Sequence, residues 1–375
     1  MTSYLDHAAT TPMRPEVVDA MLPFLTERFG NPSGSHAVAR EARKAVDEAR
    51  EVVAESLGAR PGEIVFTAGG TEADNLAIIG RYRAHPGAVV CTAVEHHAVL
   101  HAAQSLPEAR VAPVGPDGVV DLDALGGLLD PTVSVVSVML ANNEVGTVQP
   151  LTAVGELVRE AAPRAVLHTD AVQAFPWLDV AELAAGADLA AVSAHKFGGP
   201  KGVGALVVRE GVTVEPIIHG GGQERERRSG TYNVAGIAGM AAAMRATVAD
   251  RLAAVDRVGR LRDRLADGLL AAVPGAIETG DRAGKVAGNC HVLFDGIESE
   301  ALLVLLDGAG VCASAGSACT SGAVEPSHVL MAMGVSPERA VGALRLSLGA
   351  TSTDADVDLA LDVIPAAVER LRSSV

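Results

Sequence analysis

The chain has 375 residues, enough for two domains. Nearly half are hydrophobic (49%) but only 3% are aromatic, so its core must be aliphatic. A formal net charge of −16 argues against a nucleic-acid surface, which calls for a basic patch, and against adsorption to anionic lipid.

The opening "MTSYLDHAATTPMRPE" has no basic flank and no apolar h-region, so nothing suggests export. No apolar run near 18 residues lacks turn formers or charges, so no membrane span is expected. These features read as a cytoplasmic protein.

From about residue 40 to 250, helical and extended segments alternate. "AREARKAVDEAREVVAESLG" (39–58) and "TAVGELVREAA" (152–162) carry apolar residues at three- and four-residue spacing. Between such segments lie "EIVFT" (63–67), "AVVCT" (88–92), "VSVVSVML" (133–140), "AVLHTD" (165–170), "DLAAVSA" (188–194) and "GALVV" (204–208). Apolar strands alternating with helices predict an α/β fold whose mainly parallel sheet is covered on both faces. Ligands of such sheets gather beyond the carboxyl ends of the strands. A long Ala- and Arg-rich helix over 234–272 leads into a smaller α+β unit. That unit comprises "GNCHVLFDG", a helix "ESEALLVLLDGAG", "ALRLSLG" and a terminal helix from Thr353.

Four cysteines make no disulfide scaffold, and no CxxC pair suggests zinc. Cys91, Cys290 and Cys312 read as small hydrophobes at strand positions. Cys319, in "SAGSACTSG", stands among Gly, Ser and Thr, which build no core. A disulfide half, a metal ligand and a nucleophile are each open readings for it.

The residues after the strands carry the chemistry. "AGGTEADNLAI" follows the first run and is either an anion site at a helix start or an ordinary capped helix. The absence of a following Lys and of GxGxxG spacing excludes a P-loop or dinucleotide site. His96, His97 and His101 follow the second run. HExxH is missing and no carboxylate has the right spacing, so no metal is expected; one histidine at the strand end should face a ligand, with the others exposed. Asn142, Asn143 and Glu144 follow the third run.

Asp170 and Lys196 are each the first charged residue past an apolar strand. They could form a buried ion pair, which is weak evidence for stability. Alternatively, Lys196 is a desolvated, reactive amine. A reactive lysine, a buried carboxylate, a phosphate-type turn and a histidine together describe a pyridoxal phosphate site.

With these residues assembled, the chain resembles the class V (fold type I) aminotransferase family, and within it the cysteine desulfurases of the NifS/IscS type. The blocks that carry the resemblance are "YLDHAATTP" (4–12), "FGNPSGSH" (29–36), "TAGGTEADN" (67–75), "EHHAVL" (95–100), "NNEVGTVQP" (142–150), "HTDAVQ" (168–173), "SAHKFGGPKGVGAL" (193–206), "GGGQERERRSGT" (220–231), "SAGSACTSG" (314–322) and "ALRLSLG" (343–349). The resemblance implies a fold type I architecture with a seven-stranded sheet. It also implies a large domain over 16–256 and a small one from 1–15 and 257–375.

It makes Lys196 the Schiff-base lysine of pyridoxal 5'-phosphate, Asp170 the partner of the pyridinium nitrogen, and His96 the stacking and proton-transfer group. Gln173 and Asn143 would face the cofactor ring, with Asn143 reaching the substrate side. Gly70, Thr71, Ser193 and His195 would hold the phosphate. Thr231 would reach the phosphate of a neighbouring subunit, implying a homodimer. Arg345, with Asn31, would clamp the carboxylate of L-cysteine, and Cys319 would take the sulfur as a persulfide for an iron–sulfur scaffold or a tRNA-thiolation enzyme.

Glu226 stands where many members have Gly, and the chain stops soon after its last helix. Cys319 argues against an aminotransferase. A selenocysteine lyase is the alternative enzyme, and a non-catalytic sulfur carrier would not need Lys196, Asp170 and His96 together.

Overall fold

The computed structural model describes residues 2–316 and 326–373. Among the described residues, twelve strands are β1 (Ser3–Tyr4), β2 (Ile64–Thr67), β3 (Ala88–Thr92), β4 (Ala109–Ala112), β5 (Val133–Ser137), β6 (Val166–Asp170), β7 (Leu189–Ser193), β8 (Gly204–Val208), β9 (Ile277–Glu278), β10 (Asn289–Leu293), β11 (Val311–Cys312) and β12 (Ala343–Ser347).

Seven of them form one sheet in the order β2-β8-β7-β6-β5-β3-β4. Pairing is parallel from β7 across to β4, while β8 runs antiparallel to both β7 and β2. Strands β2, β3, β5, β6, β7 and β8 are buried along their whole length, as their unbroken apolar runs require. The sheet is the mainly parallel α/β sheet expected from the sequence. The run at 133–140 ends as a strand at Ser137, but Val138 and Leu140 still donate to the His168 and Asp170 carbonyls (3.0 and 2.9 Å).

The helices show why the spacing was readable. Helix Ala37–Ser56 buries Ala39, Ala42, Val46, Ala49 and Val53, a three- and four-residue stripe. Its first turn is closed by His36, whose Nδ1 accepts from the Ala39 amide at 3.2 Å. Helix Val234–Ala272 is continuous. Its residues up to Met244 pack into the core of the large sheet, and those from Val258 onward pack into a second core.

That second core surrounds an antiparallel sheet of order β12-β10-β9, in which His291 lies opposite Arg345. Strand β1 pairs parallel with β11, and Leu5 is fully buried in the same core. The N-terminal segment therefore belongs to the second core by packing. Periodicity could not have shown this, because the strand is only two residues long. Cys91, Cys290 and Cys312 lie in β3, β10 and β11.

Candidate active site

The carboxyl ends of β3, β5, β6 and β7 open on a cavity of about 390 Å³. Lys196, Asp170, His96, Gln173, Asn143, Gly70, Thr71, Ser193, His195 and Arg345 all line it. Ten of the expected positions thus converge from segments scattered over 276 residues, counted from Gly70 to Arg345.

Lys196 ends the short turn Ala194–Lys196 directly after β7. Its Nζ donates to the carbonyls of Ala8 (2.6 Å) and Ala9 (3.0 Å). Burial, and then the Arg345 charge, bring its pKa down to about 8, while Asp170 and Asp6 oppose the shift. A substantial fraction of this amine is therefore neutral near physiological pH, the form that attacks carbonyl carbon.

Asp170 ends β6, and its Oδ1 accepts from the Val172 amide at 2.8 Å. Burial raises its pKa, and His96, the Val172 amide and Lys196 pull it back towards the ionised form. His96 begins the helix His97–Gln104, where its Nδ1 accepts from the Ala98 amide at 3.1 Å. That bond puts the ring proton on Nε2. The His96 side chain is exposed to the cavity, yet the protein around it lowers the pKa of the imidazole through lost solvation.

Gly70 opens the helix Gly70–Asn75. A Cβ there would stand 2.9 Å from Val172 Cγ2, so only glycine lets the helix start sit this close to the strand ends. Thr71, Ser193 and His195 border the same space. His195 Nδ1 lies 3.3 Å from Thr10 Oγ1, and burial pushes its pKa down to about 4.

Arg345, on β12, donates through Nη2 to Asp6 Oδ1 at 2.8 Å and through Nη1 to the Asn143 carbonyl at 3.1 Å. Its Nε has no partner among the described residues. Gln173 donates through Nε2 to the Ala8 carbonyl at 2.7 Å, the same oxygen that Lys196 uses.

Two expected positions lie apart from this cavity in the single chain. Thr231 is exposed and borders a separate 80 Å³ pocket with Arg228 and Tyr232. Asn31 is exposed, and its Oδ1 accepts from the Ser33 amide at 3.0 Å. Cys319 lies outside the described residues. Gly316 and His328, on either side of it in the chain, both line the cavity. Ser314 exchanges backbone hydrogen bonds with Arg345 (3.2 and 2.7 Å), and Ser327 donates to Glu144 Oε2 at 2.5 Å.

The sequence reading missed Asp74 and the Ala8 and Ala9 carbonyls. It singled out Glu144 without giving it a role. Backbone acceptors leave no signal in residue type, and Asp74 sits inside a helix pattern. The His97 ring lies between those of His101 and His328, with centroids 4.7 and 4.5 Å away. Among the described residues no group of three or more His, Cys, Asp or Glu could hold a metal ion, and no helix is long and apolar enough to cross a membrane.

An amine of lowered pKa, a buried carboxylate and a glycine-lined helix start facing one cavity are the donor set of a fold type I pyridoxal phosphate enzyme. The class-V aminotransferase family matches residues 3–360, and the chain belongs to that family. It is 48% identical over 384 aligned positions to the "IscS-like cysteine desulfurase" of Mycobacterium tuberculosis, covering 99% of this chain and 97% of that one. It is 44% identical to "Cysteine desulfurase IscS" of Methanosarcina thermophila, covering 99% and 93%. A solved "NifS-like protein" superposes with a TM-score of 0.92 at 37% identity, covering 99% of this chain and all of that one.

Proposed function

We propose that this protein is a pyridoxal-phosphate-dependent cysteine desulfurase that converts L-cysteine to L-alanine and takes the sulfur on Cys319 as a persulfide. The observation that carries the reading is the meeting of Lys196, Asp170, His96 and Arg345 in one cavity that the chain borders on both sides of Cys319. When bound, the cofactor supplies an electron sink for carbanion chemistry at the substrate.

The chain's own residues do the rest. Lys196 would hold the cofactor through its side-chain nitrogen, and as a free amine it would take the Cα proton at Nζ. Asp170 presents a carboxylate to the ring nitrogen, and His96 offers a face for stacking and Nε2 for proton movement. Gly70, Thr71, Ser193 and His195 take the phosphate, Gln173 and Asn143 flank the ring, and the guanidinium of Arg345 binds the substrate carboxylate. The Cys319 thiolate forms a bond to the substrate sulfur as the Cβ–Sγ bond breaks. The electron pair of that bond stays with carbon, which is protonated to give alanine.

The working unit in this reading is a cytoplasmic homodimer in which Thr231 reaches the partner's phosphate and Asn31 assists substrate binding. Exposed apolar side chains at Leu22 (53%), Leu25 (65%) and Phe29 (77%) support a covered face there. Each protomer divides into a large domain, 16–256, and a small one, 1–15 with 257–375. The persulfide is passed to an iron–sulfur scaffold or a tRNA-thiolation enzyme.

The test supplies purified protein with pyridoxal phosphate, L-cysteine and a reductant, and assays alanine and sulfide. Lys196→Ala loses the bound chromophore and both products. Cys319→Ala keeps the chromophore and loses sulfide release. Sulfide from Cys319→Ala at the wild-type rate would instead indicate a lyase that needs no thiol nucleophile, as in the selenocysteine lyase alternative.

A further inference from the structure

The cavity that Asp170 lines holds a second buried carboxylate with no role in the chemistry above. Asp74, in the helix Gly70–Asn75, is 1% exposed and lines the same cavity. Its Oδ1 stands 3.5 Å from Nε2 of His168, and neither atom has a hydrogen-bond partner among the described residues. The other ring nitrogen of His168, Nδ1, is 2.8 Å from Ser137 Oγ. His168 is fully buried and precedes Asp170 by two positions on β6, so both side chains project from one face of the sheet.

We propose that Asp74 is a neutral carboxylic acid that gives its proton as a hydrogen bond to His168, leaving Asp170 as the carboxylate that would carry the negative charge facing the ring nitrogen of the cofactor. The inference rests on the pyridoxal phosphate reading of the site, and it makes Asp74 a positioning residue that acts through Asp170.

Three observations lead there. Buried carboxylates that sense one another do not all ionise, and the one without a cation keeps the proton. Asp170 has His96 and Lys196 beside it, whereas the ionisable groups acting on Asp74 are Asp170 and Glu95, both acids. Together with burial they push it well above the usual carboxylate range. The remaining titratable groups of the cavity are His96, His97, Glu144, His195, Lys196, His328 and Arg345, none of which pairs with Asp74.

His168 completes the arrangement. Burial pushes its pKa down to about 3, so the ring is neutral and has one N–H and one acceptor. An ionised Asp74 would need the ring proton on Nε2 and would leave a buried carboxylate with no Lys or Arg beside it among the described residues; with the proton on Nδ1, donated to Ser137 Oγ, Nε2 is the acceptor and faces Asp74 Oδ1 at 3.5 Å. A carboxylate there would leave two acceptors opposed. A carboxylic acid satisfies both atoms with one proton.

The direct test is infrared difference spectroscopy between the wild type and Asp74→Asn at neutral pH, with and without pyridoxal phosphate. The proposal expects the C=O stretch of a protonated carboxyl in wild type, missing from the variant. Subtraction removes the contribution of Glu95, present in both. Carboxylate bands in place of that stretch would overturn the proposal, and the cofactor-free arm decides this even if the protein never binds pyridoxal phosphate.

A second readout is the pH midpoint of the bound chromophore. Asp74→Asn, a neutral isostere, keeps the wild-type midpoint, while Asp74→Ala, which strands His168 and reshapes the cavity that Asp170 lines, moves it by about one pH unit. Equal shifts in Asn and Ala, or no shift in either, would each contradict the positioning role.

Discussion

Arg345 Nη2 donates to Asp6 Oδ1 at 2.8 Å, tying the sixth residue of the chain to its last strand. The contact holds one edge of the guanidinium, the Asn143 carbonyl holds another, and Nε has no described partner. A fork fixed in this way is oriented before substrate arrives. Arg345→Lys keeps the charge and loses the planar fork, so it should raise KM for L-cysteine roughly 30-fold with a smaller effect on kcat. Steady-state kinetics check this. An unchanged KM would remove Arg345 from carboxylate binding.

The pKa of the Lys196 amine falls from the model-compound value of 10.5 to about 8 in the folded protein. Between those values the unfolded chain binds the extra proton, so this group's contribution to stability rises with pH across the window. Below the lower value the buried amine is mostly charged, and its neutral, reactive fraction shrinks as pH falls further. Capture of pyridoxal phosphate by the cofactor-free protein, followed by absorbance, should therefore speed up with pH and level off above about pH 8. In Asp170→Asn the levelling point should move to lower pH, because Asp170 is one of the groups holding the proton on. A profile that keeps rising to the pKa of a free lysine would contradict the assignment.

The sheet and the polar residues at its edge were legible because a parallel strand buried on both faces writes an unbroken apolar run. The first charge after such a run falls where ligands bind. Asp170 and Lys196 were found that way. What binds Lys196 was not legible, since Ala8 and Ala9 offer main-chain carbonyls from about 190 residues away. Asp74 was hidden for a related reason: its partner His168 is on another element, and the two meet only once the helix packs on the sheet. Thr231 and Asn31 came from resemblance alone, and both lie outside the cavity of a single chain.

Glu226 was singled out as standing where many relatives have Gly, and the backbone shows what that costs. Glu224, Arg225 and Glu226 all have positive φ, at 51, 55 and 65°. Glu226 is exposed, and its side chain makes no hydrogen bond or ion pair among the described residues. Glu226→Gly should therefore stabilise the fold by about 1 kcal/mol. Glu224 behaves oppositely, because its carboxylate is buried and accepts from Arg50 (2.6 and 2.9 Å) and the Phe66 amide (2.9 Å). Glu224→Gln leaves a buried guanidinium uncompensated and should cost about 3 kcal/mol. Urea unfolding of both variants checks the signs, and like signs would refute the account of this loop.

The cysteines should separate by reactivity. Burial pushes the Cys91 and Cys290 thiols up to about 12, so neither forms thiolate at neutral pH. Brief iodoacetamide treatment of the native protein should leave both unlabelled while abolishing sulfide release by modifying Cys319. Peptide mass spectrometry reads the sites. Labelling of Cys91 or Cys290 in protein that is still folded would contradict their place in the cores.

The central claim is that substrate sulfur passes to Cys319. Purified holoenzyme given L-cysteine without reductant, then trapped by alkylation, should yield the Cys319 peptide carrying one extra sulfur atom, in proportion to the alanine formed in the first turnover. Alanine formed in that turnover with Cys319 free of added sulfur would contradict the account.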